Sequence, residues 1–157
     1  MMTPKRFNAF CAKLPCALHV VQWGDADVWK VGGTVSDAEG SKLHAKVFAI
    51  GAWHHGELAG ITFKVSDIAY EVLKDMQGLR PAPYLASRGM TWIQMHADPG
   101  LSDRELKRHL EQAHALVARN LPKRVRGALG PKLGGFANAC RDRCRRRRER
   151  RRAINRR

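Results

Sequence analysis

Few side chains in this sequence combine the type and spacing that chemistry needs. The adjacent His54 and His55 fall in a glycine-bounded segment, 51–60. Neighbours on an extended chain point to opposite faces, so the two do not chelate together and read as solvated turn residues. Asp25 and Asp27 share a face if extended, and a turn and strand-edge role accounts for them. The cysteines pair in sequence as Cys11/Cys16 and Cys140/Cys144. Zinc sites favour C-x₂₋₄-C, and the first pair is one residue too wide, so no metal site is expected. The arginines around Cys140 and Cys144 favour their thiolates. Dinucleotide-binding, P-loop, nucleophile-elbow and zincin motifs are all missing from the sequence, and no Ser or Cys is singled out with a His partner. The expectation is a protein that is not an enzyme and carries no cofactor.

The remaining candidates are basic. Lys30, Lys46 and Lys64 fall in strand-like segments, where they either meet phosphates, with Trp29 or Trp92 offering stacking area, or solvate an open face and protect edges. Arg80 and Arg88 flank a loop with two prolines and read as anion ligands or as ties to carboxylates. The C-terminal segment adds Arg141, Arg143, Arg145, Arg146, Arg147, Arg148, Arg150, Arg151 and Arg152. The formal net charge of +15 is unevenly spread. Residues 1–122 hold 14 Lys and Arg against 12 Asp and Glu, whereas residues 123–157 hold 15 against Asp142 and Glu149. Charge alone therefore argues for nucleic-acid binding by the tail rather than by the domain. If roughly ten arginines neutralise phosphates, log affinity falls with log salt at a slope near about −9, without regard to base sequence.

The elements that must position these residues follow from periodicity. A first helix runs from Pro4 to about Leu14, capped by Thr3, with Phe7, Phe10, Cys11 and Leu14 as its apolar stripe. Leu18–Trp23 and Ala26–Val31 read as strands about a Gly24-Asp25 turn, residues 34–42 as a hairpin tip or loop, and Leu43–Ile50 as a strand in which Ala45, Val47 and Ala49 alternate with Lys46, Phe48 and Ile50. Residues 51–60 read as a turn region and 61–65 as a half-buried strand. Ser66 caps a second helix to about Met76, with Ile68, Val72 and Met76 on one side. Residues 79–89 read as a loop and 91–96 as the last strand. Ser102 with Glu105 forms a capping box opening a third helix whose buried stripe is Leu106, Leu110, Ala113, Val117 and Leu121. The fold class is α+β: an antiparallel sheet of about five strands with three helices packed on it. Beyond Pro122, glycines and the arginine run predict a flexible, disordered basic tail over 123–157, leaving 1–122 as the domain. No segment has the length to span a bilayer and no secretory signal is apparent, so the expected setting is the cytoplasm.

The segments VWKVGG at 28–33, KVFAIG at 46–51, ITFKVSD at 61–67 and LRPAPYL…GMTWIQM at 79–95 resemble the MmcQ/YjbR family, over about residues 5–122. The resemblance implies a CyaY-like fold in a double-wing arrangement and a label of DNA-binding protein. Residues 34–45, interposed where the family runs from VGG almost directly into KVFA, and the arginine tail both depart from its pattern. Frataxin-like proteins of the implied fold bind iron on an acidic first helix. The corresponding TPKRFNAFCAKL has no carboxylate, which argues against iron. The expected function is non-enzymatic, sequence-independent nucleic-acid binding by a monomer, chiefly through residues 123–157. The alternative is a protein- or small-ligand-interaction module using the sheet face or proline loop.

Overall fold

A computed structural model describes residues 2–38, 40–130, 132 and 133. Helix α1 (Pro4–Cys11) starts where Thr3 Oγ1 accepts the Arg6 amide at 3.3 Å, with Pro4 in the first turn where a missing N–H costs nothing. Strands β1 (Ala17–Gln22), β2 (Ala26–Asp37), β3 (Gly40–His54) and β4 (Glu57–Lys64) form a meander. Helix α2 (Asp67–Leu73), strand β5 (Leu79–Pro81), a 3₁₀ turn at Ala86–Arg88, strand β6 (Trp92–Met95) and helix α3 (Asp103–Arg119) follow. The strands make one antiparallel sheet in the order β1-β2-β3-β4-β6-β5. The α+β class stands, with six strands rather than about five. The added strand is β5, inside the proline-containing segment 79–89 whose composition predicts a loop.

The hairpin turns explain the tight meander. Trp23, Gly24 and Asp25 take φ of 52°, 74° and 65° between β1 and β2, and His55-Gly56 take 51° and 83° between β3 and β4. Successive left-handed residues match the twist of the flanking strands. The span 51–60 is thus mostly strand with a two-residue turn. Residues 34–42, expected as a hairpin tip or loop, continue β2 and β3 into a long two-stranded ribbon, paired from Gly33↔His44 out to Asp37↔Gly40. Alternating Thr34, Val35 and Ser36 against Lys42 and Leu43 carries enough strand propensity for the ladder to run on.

One face of the sheet is the core. Phe48 meets His114 edge-on with ring centroids 5.2 Å apart, and Phe63 stacks on His109 at 5.7 Å, both histidines being on α3. Trp29 Nε1 donates to Asn8 Oδ1 of α1 at 2.8 Å, and Phe7 tilts against Trp53. Leu106, Leu110, Ala113, Val117 and Leu121 are buried as the stripe of α3 predicted, behind the capping box of Ser102 and Glu105.

Two expectations fail. The stripe Ile68, Val72 and Met76 of α2 faces solvent, Ile68 being 82% exposed, while Leu73 is buried and Ala69 and Tyr70 pack against the core. The second concerns the chain after Pro122. Residues 123–130 form a further helix, α4, with 132 and 133 also helical. Val125 and Leu129 of α4 are buried in the core cluster. A flexible tail therefore does not begin at 123. Gly127 and Gly130 weaken this helix intrinsically, and burial of its apolar face overrides that propensity. Arg141, Arg143, Arg145, Arg146, Arg147, Arg148, Arg150, Arg151 and Arg152 lie outside the described residues.

Candidate nucleic-acid interface

Cross-strand register decides which candidate cations share a surface. Trp29, Phe63 and Ile93 face α1 and α3, so their strand neighbours face away. Val28, Ile50, Thr62, Gln94 and Arg80 are successive partners across β2, β3, β4, β6 and β5, forming one row on the helix-free face. Lys30, paired with Val47, and Lys64, paired with Trp92, project from the same face. Of the sequence candidates, the fold thus brings together Lys30, Lys64 and Arg80. The helix-free face of the strands also presents Leu18, Val20, Gln22, Ala52 and Gly60, and among the described residues its one strand carboxylate is Glu57, opposite His54 at the β3–β4 turn.

The row is held by side-chain hydrogen bonds. Arg80 Nε donates to Gln94 Oε1 at 2.8 Å, and Gln94 Nε2 donates to Thr62 Oγ1 at 3.2 Å. Arg80 keeps the rest of its guanidinium exposed. Lys64 Nζ donates to Thr91 Oγ1 at 2.8 Å, and the Thr91 hydroxyl passes the chain on to the Val65 carbonyl at 2.9 Å. Partial burial pushes the Lys64 ammonium down, against the opposing pull of Asp67. An anion arriving at this face would offset that desolvation. Gln94, which accepts from Arg80, and Thr62, which accepts from Gln94, were not singled out in the sequence. Thr62 was legible as the partner of Lys64 in strand alternation. Gln94 could not be linked to Arg80 while 79–89 read as a loop.

Lys46 belongs elsewhere. It pairs with Val31 on the helix side and donates from Nζ to the Asn120 carbonyl at the end of α3, at 2.9 Å. That is a structural tie, favourable to the negative end of a helix. Arg88 is exposed on the 3₁₀ turn, outside the cross-strand row. Neither tryptophan offers an open stacking surface. Trp29 is buried against α1, and Trp92, on the helix-free face, is only 5% exposed.

The other chemical candidates stay apart. His54 ends β3 and His55 occupies the turn. Asp27 Oδ1 pairs with His19 Nε2 at 2.7 Å. Cys11 is buried, which pushes its thiol well above the ordinary range, and burial also raises that of Cys16. Among the described residues, no three His, Cys, Asp or Glu side chains converge as a metal site, and no helix is long and apolar enough to cross a membrane.

The YjbR family model matches residues 12–116 of the chain. The crystal structure of Deinococcus radiodurans protein DR2400, of family-model domain DUF419, superposes with a TM-score of 0.63 at 23% identity, covering 83% of this chain and 89% of that one. At that identity the likeness speaks for the fold. No curated protein matches the chain.

Proposed function

The chain belongs to the YjbR family, and from that premise we propose that it is a non-enzymatic, cytoplasmic, monomeric protein that binds DNA through its phosphates without reading base sequence. One observation carries the reading: Lys30, Lys64 and Arg80 share the helix-free face of the sheet, where the cross-strand row from Val28 to Arg80 carries no carboxylate. Thr62 and Gln94 supply neutral hydrogen-bonding groups between them, as phosphate and sugar contacts commonly use. Residues 141–152 add an arginine-rich attraction of longer range. The ribbon of β2 and β3 is the candidate for one wing of a double-wing arrangement.

The test separates domain from tail. Fluorescence anisotropy of a labelled duplex is followed over a salt series with the full chain and with residues 1–133. The cut belongs after 133, because a cut after 122 would remove the buried Val125 and Leu129. Retained binding by 1–133 near physiological salt supports the sheet face. Binding that vanishes with the tail refers all DNA affinity to the arginine run.

A second reading has its own observation. Ile68 and Val72 on α2 and Tyr84 in the proline loop, which is 87% exposed, leave large apolar side chains in solvent. Between α2 and the 3₁₀ turn lies a shallow groove lined by Asp67, Tyr70, Glu71, Ala86 and Met90. Grouped apolar side chains of this kind mark protein contacts, so a protein partner docked there is the alternative. A pull-down with an Ile68→Lys/Val72→Lys variant that still captures every partner of the native chain counts against it.

A further inference from the structure

The ribbon of β2 and β3 and helix α4 pack against each other. A Cβ on Gly33 would stand 2.9 Å from Leu129 Cδ2, so Leu129 seats directly on the ribbon at its glycine. Val35 and Leu133 both pack against the core cluster on this side. Arg124 Nη2 donates to His44 Nε2 at 3.2 Å, and Lys46 Nζ reaches the Asn120 carbonyl at 2.9 Å.

This junction is rich in positive charge. Lys42, His44 and Lys46 alternate along β3, paired with Val35, Gly33 and Val31 on the helix side of the sheet. Arg119, Lys123, Arg124 and Arg126 are exposed on the segment packed below them. The sequence holds no Asp or Glu from 40 to 56, nor from 112 to 133. Two carboxylate-free stretches, far apart in sequence, are thus laid side by side.

The geometry points to a second phosphate-binding surface at the root of the ribbon, formed by Lys42 and His44 of β3 with Lys123, Arg124 and Arg126 of α4. Its ligand is the phosphodiester backbone of duplex DNA. The inference rests on the DNA-binding reading above and extends it to the opposite face of the sheet from Lys30, Lys64 and Arg80. The two surfaces contribute independently, because the sheet separates them.

The test uses the full chain and anisotropy of a short labelled duplex over a salt series. Lys42→Gln/Lys123→Gln/Arg126→Gln removes three charges while leaving Val125, Leu129 and the Arg124–His44 bond in place. A control of equal charge, Lys5→Gln/Lys13→Gln/Arg104→Gln, takes exposed cations from α1, the turn after it and α3. Three lost phosphate contacts should make the salt slope shallower by about 2.7. Affinity at low salt should fall about tenfold more than in the control. Equal losses in the two variants would overturn the inference while leaving the DNA-binding reading in place. A native chain that fails to bind the duplex at any salt would sink both. Unfolding midpoints of both variants, matched to the native chain, exclude loss of fold as the cause of any difference.

Discussion

Lys46 and Lys64 look alike in sequence, each a lysine inside an alternating strand, yet the fold sends them to opposite faces. Strict alternation from Ala45 to Ile50 places Phe48 and Ala49 on different sides. In the structure both face the helices, because the register between β2 and β3 shifts at Trp29/Lys30. A bulge of this kind changes the parity of everything beyond it, and no pattern within β3 announces it. The glycines of VWKVGG were legible as a motif, and their reason is now visible. Gly32 has φ of 154° and lies against the β3 backbone, where a Cβ would fall on the His44 carbonyl. Gly32→Ala should therefore cost on the order of 3 kcal/mol or more, read as a lower urea midpoint. A change within about 0.5 kcal/mol, the range of an ordinary surface substitution, would contradict this close approach.

Two histidines of α3 set a pH dependence. Burial lowers the pKa of both His109 and His114, although the Pro15 carbonyl accepts from His114 Nε2 at 2.7 Å and Glu105 and Gln112 pull His109 the other way. Below the ordinary histidine value of about 6.5 the unfolded chain takes up protons that the folded chain resists. Their stabilising contribution is thus complete above that value and is lost as pH falls through the lower folded values. Urea midpoints should drop between pH 7.5 and 5.5, and drop less in His109→Gln/His114→Gln. An undiminished drop in that variant would assign the effect to other groups.

At the scale of elements, long strongly periodic segments were readable and short ones were not. Helix α3 has several turns of consistent stripe and a capping box, and it appears as expected. Helix α2 has about two turns, in which Ile68/Val72 and Ala69/Leu73 are equally good i, i+4 pairs. Tertiary packing chose Leu73. Leu73→Ala should cost about 2–4 kcal/mol, while Val72→Lys should stay within about 0.5 kcal/mol. The reverse order, measured by denaturant unfolding, would place the wrong face of α2 in the core. Helix α4 escaped the sequence reading because Gly127, Gly130 and nearby basic residues mask a two-position apolar pattern, Val125 and Leu129. Only a partner surface, the ribbon at Gly33, makes that pattern meaningful. Leu129→Ala should lower stability by about 2–3 kcal/mol, whereas removing residues 134–157 should leave the unfolding midpoint of the domain unchanged. A midpoint insensitive to Leu129→Ala would detach α4 from the core.

For the whole molecule, the family and the fold were legible from VWKVGG, KVFAIG, ITFKVSD and the proline loop together, since these span the sheet from β2 to β6. The arrangement of charge was not. Counting residues made the domain nearly neutral, yet neutrality in total coexists with a sheet face whose strands carry Lys30, Lys64 and Arg80 against a single carboxylate, Glu57 at the β3–β4 turn. Asp27, for instance, is spent on the helix side, paired with His19. Register, rather than composition, creates that asymmetry. The most direct measurement is the salt dependence of duplex DNA binding, by anisotropy, for the full chain and for Lys30→Gln/Lys64→Gln/Arg80→Gln. If the sheet face holds phosphates, the slope of log affinity against log salt becomes shallower by about 2–3 and affinity falls at every salt concentration. Superimposable lines for the two proteins would contradict the account and leave the sheet face without a role in DNA binding.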